Sequence, residues 1–337
     1  MSEATVLKPK DLKSDVEVKW CAGCGAHSIL HSLQTAMAES GAKKEDIAVV
    51  SGIGCSSRLP YYMGTYGFHS IHGRASAIAT GLKTANPNLR VWQISGDGDA
   101  LAIGGNHFIH MIKRNIDINL ILFNNEIYGL TKGQFSPTTK TGQITKTSPQ
   151  GHIEKPFNPG ELTIGAQGSF FARGLDGSPK VTAELMKAAE KHKGASVVEV
   201  LMNCVIFNDG AHKHATAKEV KADKQLHLEH GKPMIFGQEM NKGIVFEDLE
   251  LKVVEIGKDG YTEADILVHD KTKKSPVIHS LLAKMGGEGF PIAFGIIRQV
   301  EEKVYNEEVD RQLEEYKDKG PKSTRELFDS GDIWEVK

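Results

Sequence analysis

Asp97 stands between two glycines in the run Gly96-Asp97-Gly98-Asp99, and the pair Asn124-Asn125 follows one predicted helix and one predicted strand later. A carboxylate and a carboxamide oxygen are hard donors, the kind Mg²⁺ takes when it bridges a dense negative group such as a diphosphate. Glycines on both sides of Asp97 let the backbone approach phosphate oxygens closely. Asn125 offers a second ligand and the Ile127 carbonyl a third, with phosphate oxygens and water completing the shell. Taken singly each motif is ordinary, since glycine–aspartate and Asn-Asn turns are common at strand ends. Four cysteines accompany them: Cys21, Cys24, Cys55 and Cys204. Cys21 and Cys24 form a CxxC pair. Four thiolates suit either tetrahedral Zn²⁺ or a [4Fe–4S] cluster, and spacing does not choose between them.

The elements around these residues alternate in a regular way. Ser28 to Met37 has helical apolar spacing, with Gly41 as a plausible stop. Ile47 to Ser51 is a β-branched run that enters Gly52-Ile53-Gly54-Cys55. Ala75 to Ala85 reads as a helix stopped by Asn86-Pro87, and Arg90 to Ser95 as a strand entering the GDGD run. Leu101 to Lys113 reads as helix, Ile118 to Phe123 as buried strand, Pro179 to His192 as helix and Ser196 to Met202 as strand. Strands separated by helices of this length predict βαβ units and a mostly parallel α/β sheet with helices on both faces. Cys55, Asp97, Asn125 and Cys204 then all follow the C-terminal ends of strands, the edge where open α/β sheets bind ligands. Residues 130 to 160 predict a long ordered loop over that edge.

The bulk properties narrow the class. The chain has 337 residues, 39% hydrophobic, 25% charged, with a net charge of −2. Such a balance gives no basic patch for nucleic acid and no surface for an anionic membrane. No apolar run is long enough to span a bilayer, and the charged first twenty residues lack the apolar core of a secretory signal. A cytoplasmic enzyme is the expectation, where free cysteines mean metal ligation before disulfides. Residues 1–210 read as one binding domain, and 211–337 as a more polar C-terminal extension. There, Ile244 to Ile256 with Ile266 to Val268 predict a small sheet, and Glu301 to Asp318 an exposed helix. The extension is expected to cover the cysteines or dock a partner.

GDGDALAIGGNH followed by NNEIYGLTKGQFSPTT resembles the thiamine diphosphate-binding β subunits of the 2-oxoacid:ferredoxin oxidoreductases. The resemblance extends to WCAGCG at Trp20 to Gly25, GIGCSSRLP at Gly52 to Pro60 and HGRASAIATGLKTANP at His72 to Pro87, and it runs through Cys204. Ala22 departs from it, since the family usually has proline there.

The resemblance implies a cofactor set by motif: Gly54 and Cys55; His72 and Gly73; Gly96, Asp97, Gly98 and Asp99; Asn125, Ile127, Gly129 and Leu130. It implies Mg²⁺ on Asp97, Asn125 and Ile127, and one [4Fe–4S] cluster on Cys21, Cys24, Cys55 and Cys204. A one-electron acceptor beside thiamine diphosphate can drain electrons released on decarboxylation, whereas zinc is redox-inert. Coenzyme A is the implied cosubstrate and ferredoxin the electron carrier. No second βαβ unit follows residue 210. An α subunit is therefore implied to supply the pyrimidine-binding surface, with the αβ pair dimerising to a heterotetramer. Among family substrates 2-oxoglutarate is favoured, because Lys132 offers a cation for its second carboxylate where pyruvate-preferring relatives carry a small residue. Pyruvate and branched-chain or aryl 2-oxoacids are the alternatives. A non-redox thiamine decarboxylase or carboligase with structural zinc is the competing class, and a catalytically silent scaffold subunit a third.

Overall fold

Six strands carry the fold: β1 (Ile47–Ser51), β2 (Tyr66–His69), β3 (Arg90–Gly96), β4 (Asn119–Asn124), β5 (Phe170–Leu175) and β6 (Ser196–Leu201). The computed structural model describes residues 7–336. The C-terminal portion adds β7 (Gln225–His227), β8 (Ile235–Phe236), β9 (Lys242–Glu247), β10 (Glu250–Glu255) and β11 (Ile292–Gln299). The main sheet has eight strands in the order β2-β1-β3-β4-β6-β5-β11-β7. β1 to β6 are mutually parallel, while β11 runs antiparallel to β5 and parallel to β7. In register, Ile121 of β4 lies between Ile94 of β3 and Val198 of β6.

Helices cover both faces. α1 (Ala26–Glu39) and α6 (Pro179–Lys191) lie on one face; α2 (Ala75–Ala85), α4 (Gly105–Arg114) and α5 (Pro159–Gly165) lie on the other. Side chains alternate along each strand, so Ile121 and Phe123 join the first core while Leu120 and Leu122 join the second. That double burial is why β4 and β6 are nearly continuous apolar runs. The predicted helix from Leu101 to Lys113 is two helices. A short α3 (Asp97–Leu101) starts on the GDGD run itself, and the chain breaks at Ala102 before α4. Gly104-Gly105 is a poor place to continue a helix.

Residues beyond 210 are knitted into the main sheet rather than set apart from it, since β11 and β7 form its last two strands. The expected small sheet exists as β10-β9-β8. Ile266 to Val268 lies beside it without being a strand: Val268 bridges Pro233, and Leu267 N donates to Ile244 O at 2.8 Å. The helix Tyr305–Tyr316 is exposed and is tied to the turn before β4, where Asp117 N donates to Asn306 Oδ1 at 3.1 Å. That turn is at the opposite end of β4 from Asn125, so this helix does not cover the cysteines.

Candidate cofactor and metal site

The C-terminal ends of β1, β3, β4 and β6 frame one cleft, lined by Gly54, Cys55, Gly96, Asp97, Gly98, Asp99, Asn125, Ile127, Gly129 and Leu130 together with Ser56, Tyr128 and Met202. Asp97 is at its floor, only 2% exposed. Burial pushes its carboxyl up to about 6, against hydrogen bonds from Ser136 and Thr138 and from backbone N–H groups that favour the charged form. Ser136 Oγ and Thr138 Oγ1 donate to Asp97 Oδ2 at 2.5 and 2.6 Å. No lysine, arginine or histidine pairs with Asp97 among the described residues. A buried carboxylate held by neutral donors and lacking a cation fits a hard divalent ion.

Asn125 follows β4 directly, and its Oδ1 accepts from Ile127 N at 3.2 Å, which curls the turn. Tyr128 then lies over the first turn of α3, its hydroxyl donating to Gly98 O at 2.7 Å. A Cβ on Gly98 would fall 2.2 Å from the Tyr128 ring, so only glycine admits this contact. Burial, followed by the charges of Asp97 and Asp99, raises the Tyr128 phenol to about 12, and it stays a neutral donor.

Gly129 joins the two halves of the site. A Cβ there would lie 3.2 Å from Cys55 Sγ and 4.0 Å from Cys204 Sγ, so the turn bearing Ile127 runs against the thiols. All four cysteines are free. Burial raises the Cys24 thiol to about 11, and, against a hydrogen bond from Ala26, the charges of Cys204, Cys55 and Cys21 add to it. Cys55 is raised in the same way, by burial first and then by Cys204 and Cys21. The four thiols therefore form one group. Yet no three His, Cys, Asp or Glu side chains among the described residues converge on a point that could hold a single ion. Thiolates on one tetrahedral zinc, with bonds of about 2.3 Å, stand within about 4 Å of each other. Four thiols with no histidine or carboxylate among them are a donor set that a [4Fe–4S] cluster takes. Trp20 braces it, donating from Nε1 to Cys55 O at 2.7 Å, and His27 Nε2 lies 3.2 Å from Cys21 O.

His72 and Gly73 reach the site through Asp99, which is 2% exposed. Asp99 accepts from Gly73 N at 2.7 Å and Ile53 N at 3.0 Å, lies 2.8 Å from His72 Nδ1, and also bonds Ser95. One carboxylate thus ties the loops after β1 and before α2 to the GDGD run. Lys132 is exposed, with φ of 64°, and does not line the cleft; it stands two residues past Leu130, which does. Ser136, Thr138 and Tyr128 escaped the sequence reading. For Ser136 and Thr138 the signal was the hydroxyl-rich run Ser136-Pro137-Thr138-Thr139 in the long loop, which has no period to single it out; Tyr128 stands in the turn after Asn125.

A mostly parallel sheet with this clamp at its C-terminal edge defines a thiamine diphosphate-type binding domain, and the family model "Thiamine pyrophosphate enzyme, C-terminal TPP binding domain" matches residues 52–200. The chain is 42% identical over 333 residues to 2-oxoglutarate oxidoreductase subunit KorB of Mycobacterium tuberculosis, covering 98% of this chain and 88% of that one. An Aeropyrum pernix 2-oxoacid:ferredoxin oxidoreductase β subunit is 44% identical over 59% of this chain and 64% of its own length. A solved 2-oxoglutarate:ferredoxin oxidoreductase from Magnetococcus marinus, with 2-oxoglutarate, coenzyme A and succinyl-CoA bound, superposes with a TM-score of 0.76 at 31% identity. That match covers 97% of this chain and 96% of the other. The chain belongs to the β subunits of the 2-oxoacid:ferredoxin oxidoreductase family. Among the described residues no helix is long and apolar enough to cross a membrane.

Proposed function

We propose that this chain supplies the diphosphate-binding and electron-exit side of a 2-oxoglutarate:ferredoxin oxidoreductase whose active site is shared with an α subunit. Asp97, Asn125 and the Ile127 carbonyl would hold Mg²⁺ and through it the diphosphate, and Cys21, Cys24, Cys55 and Cys204 would hold the cluster. When bound, thiamine diphosphate supplies the electron sink for decarboxylation, and a [4Fe–4S] cluster supplies the one-electron path to ferredoxin.

The chain's own residues do the positioning. Ser136 and Thr138 fix the Asp97 carboxylate, leaving its other oxygen for the metal. Tyr128 closes over Gly98. Asp99 fixes His72 and the Gly73 backbone, which would meet the phosphate end of the cofactor. Lys132, two residues past the cleft residue Leu130, would be the cation for the distal carboxylate of 2-oxoglutarate. With coenzyme A as cosubstrate the products are succinyl-CoA and CO₂, two electrons leaving on ferredoxin; reduced ferredoxin would drive the reverse carboxylation. An αβ pair that dimerises to a heterotetramer completes the assembly.

The observation that carries this reading is Gly129: a Cβ on it would lie 3.2 Å from Cys55 Sγ and 4.0 Å from Cys204 Sγ, so the turn bearing Ile127 and two of the four thiols are neighbours. Asp97→Ala tests it. The variant purified with its native partner should fold normally, lose Mg²⁺-dependent thiamine diphosphate binding and lose ferredoxin reduction with 2-oxoglutarate. Unchanged binding and turnover would exclude the assignment.

A further inference from the structure

A chain of buried polar groups braces the clamp from behind. Arg173, on β5, donates from Nε to Glu199 Oε2 at 2.7 Å. Its Nη groups donate to Ala283 O at 3.0 Å and Ala293 O at 3.4 Å, both in the C-terminal extension. Glu199, on β6, accepts with its other oxygen from Asn124 Nδ2 at 2.8 Å. Asn124 Oδ1 accepts from Glu126 N at 3.4 Å and lies 3.1 Å from Thr138 Oγ1, which is 2.6 Å from Asp97 Oδ2. Arg173, Glu199, Asn124, Thr138 and Asp97 are each 5% exposed or less.

We propose that Glu199, held by Arg173, is a positioning residue for the metal–diphosphate clamp, fixing the Asn124 amide and through it the turn that carries Asn125 and Ile127. The proposal rests on the reading of Asp97, Asn125 and Ile127 as that clamp. A buried ion pair is poor evidence of stabilisation in itself, because desolvation offsets its attraction. Fully bonded, it fixes orientation. The Asn124 amide is two-faced, and only the orientation with Nδ2 toward a carboxylate leaves Oδ1 for Glu126 N. Arg173 Nε demands an acceptor from residue 199, so a glutamine there must turn its own NH₂ toward Asn124. Donor then meets donor, or the Asn124 amide flips and turns NH₂ on Glu126 N. Either way the turn carrying Asn125 and Ile127 shifts. Because Arg173 also holds two carbonyls of the extension, the extension reaches the clamp through this same pair.

The test is a Mg²⁺ titration, with thiamine diphosphate present, of the full chain purified with its native partner and stripped of cofactor. Glu199→Gln should raise the Mg²⁺ dissociation constant tenfold or more, the usual range for outer partners of a metal site. The double variant Asn124→Asp with Glu199→Gln exchanges amide and carboxylate, so acceptor meets donor again. It should return to within about threefold of wild type. Wild-type binding by E199Q, or a folded double variant no better than E199Q, would overturn the proposal. If E199Q does not fold, the double variant decides alone, near-wild-type affinity supporting the proposal and a tenfold loss in a folded chain overturning it. Asp97→Ala in the same titration separates the two ideas. If it still binds, the clamp reading itself fails; if it does not bind while E199Q does, only the positioning role fails.

Discussion

His72 Nδ1 stands 2.8 Å from Asp99 Oδ1, and the same oxygen accepts from Gly73 N at 2.7 Å. The buried carboxylate fixes the ring, with Nδ1 as the N–H donor to Asp99. Removing the two partners should therefore have different consequences. His72→Ala removes a half-buried ring and should weaken cofactor binding while leaving the melting temperature nearly unchanged. Asp99→Ala strands the Gly73 and Ile53 N–H groups in the interior, and should cost about 2–4 kcal/mol of stability as well. Thermal melts and cofactor titrations of the two variants check this, and equal melting temperatures would refute the tethering role of Asp99.

The thiol group makes a separate prediction about metal content. Wild-type chain, purified without oxygen, should carry about four irons and absorb near 400 nm. Cys55→Ala should drop the iron to about one or none, remove the absorption and stop ferredoxin reduction. Iron analysis beside zinc analysis reads this directly, and one zinc per chain would remove the redox assignment.

The parts of the molecule that were legible in sequence are those where one periodic signal ruled. Ile47–Ser51 and Ala75–Ala85 have the bounds read from pattern alone, because each is a single apolar run ended by glycine or by Asn86-Pro87. β2 was missed since all four of its residues are exposed and it carries no alternation. β5 was missed because Arg173 sits in its middle, and its burial depends on Glu199, 26 residues away. The floor of the site was readable because Asp97 and Asn125 follow apolar strands. Ser136 and Thr138 reach Asp97 across a loop, a contact set by tertiary packing that no local pattern records.

His192 gives the fold a pH dependence that is independent of the cofactor. Burial lowers its imidazole to about 4, with Asp117 opposing, and Nε2 lies 2.8 Å from Ser169 Oγ. Ser169 already donates to Asn115 Oδ1 at 2.7 Å, so Nε2 must be the N–H donor to it. The unfolded chain takes up this proton near pH 6.5, the folded chain only near pH 4. Between those values the unfolded state binds more protons, so stability is complete above about pH 6.5 and falls as pH drops toward 4. The full loss attributable to this group, reached near pH 4, is on the order of 3 kcal/mol. Urea unfolding of His192→Gln against wild type at pH 7.5 and pH 5 isolates it. The variant should lose less stability on acidification, and parallel losses would sink the assignment.

Gly98 makes the last prediction, because its missing Cβ is filled by a neighbour. A methyl group there would fall 2.2 Å from Tyr128 Cε1 and 2.5 Å from Cζ. In Gly98→Ala the ring has to move, and with it go Ile127 and Gly129, which share its turn. The variant should lose about 1–3 kcal/mol of stability, the usual range for overpacking, together with cofactor affinity. Relief should come from the other side of the contact. Tyr128→Ala added to Gly98→Ala makes room for the methyl group, so the double variant should bind cofactor better than Gly98→Ala alone. Thermal melts and cofactor titrations of the three variants read this, and additive losses in the double variant would mean that Gly98 is required by the phosphates rather than by Tyr128.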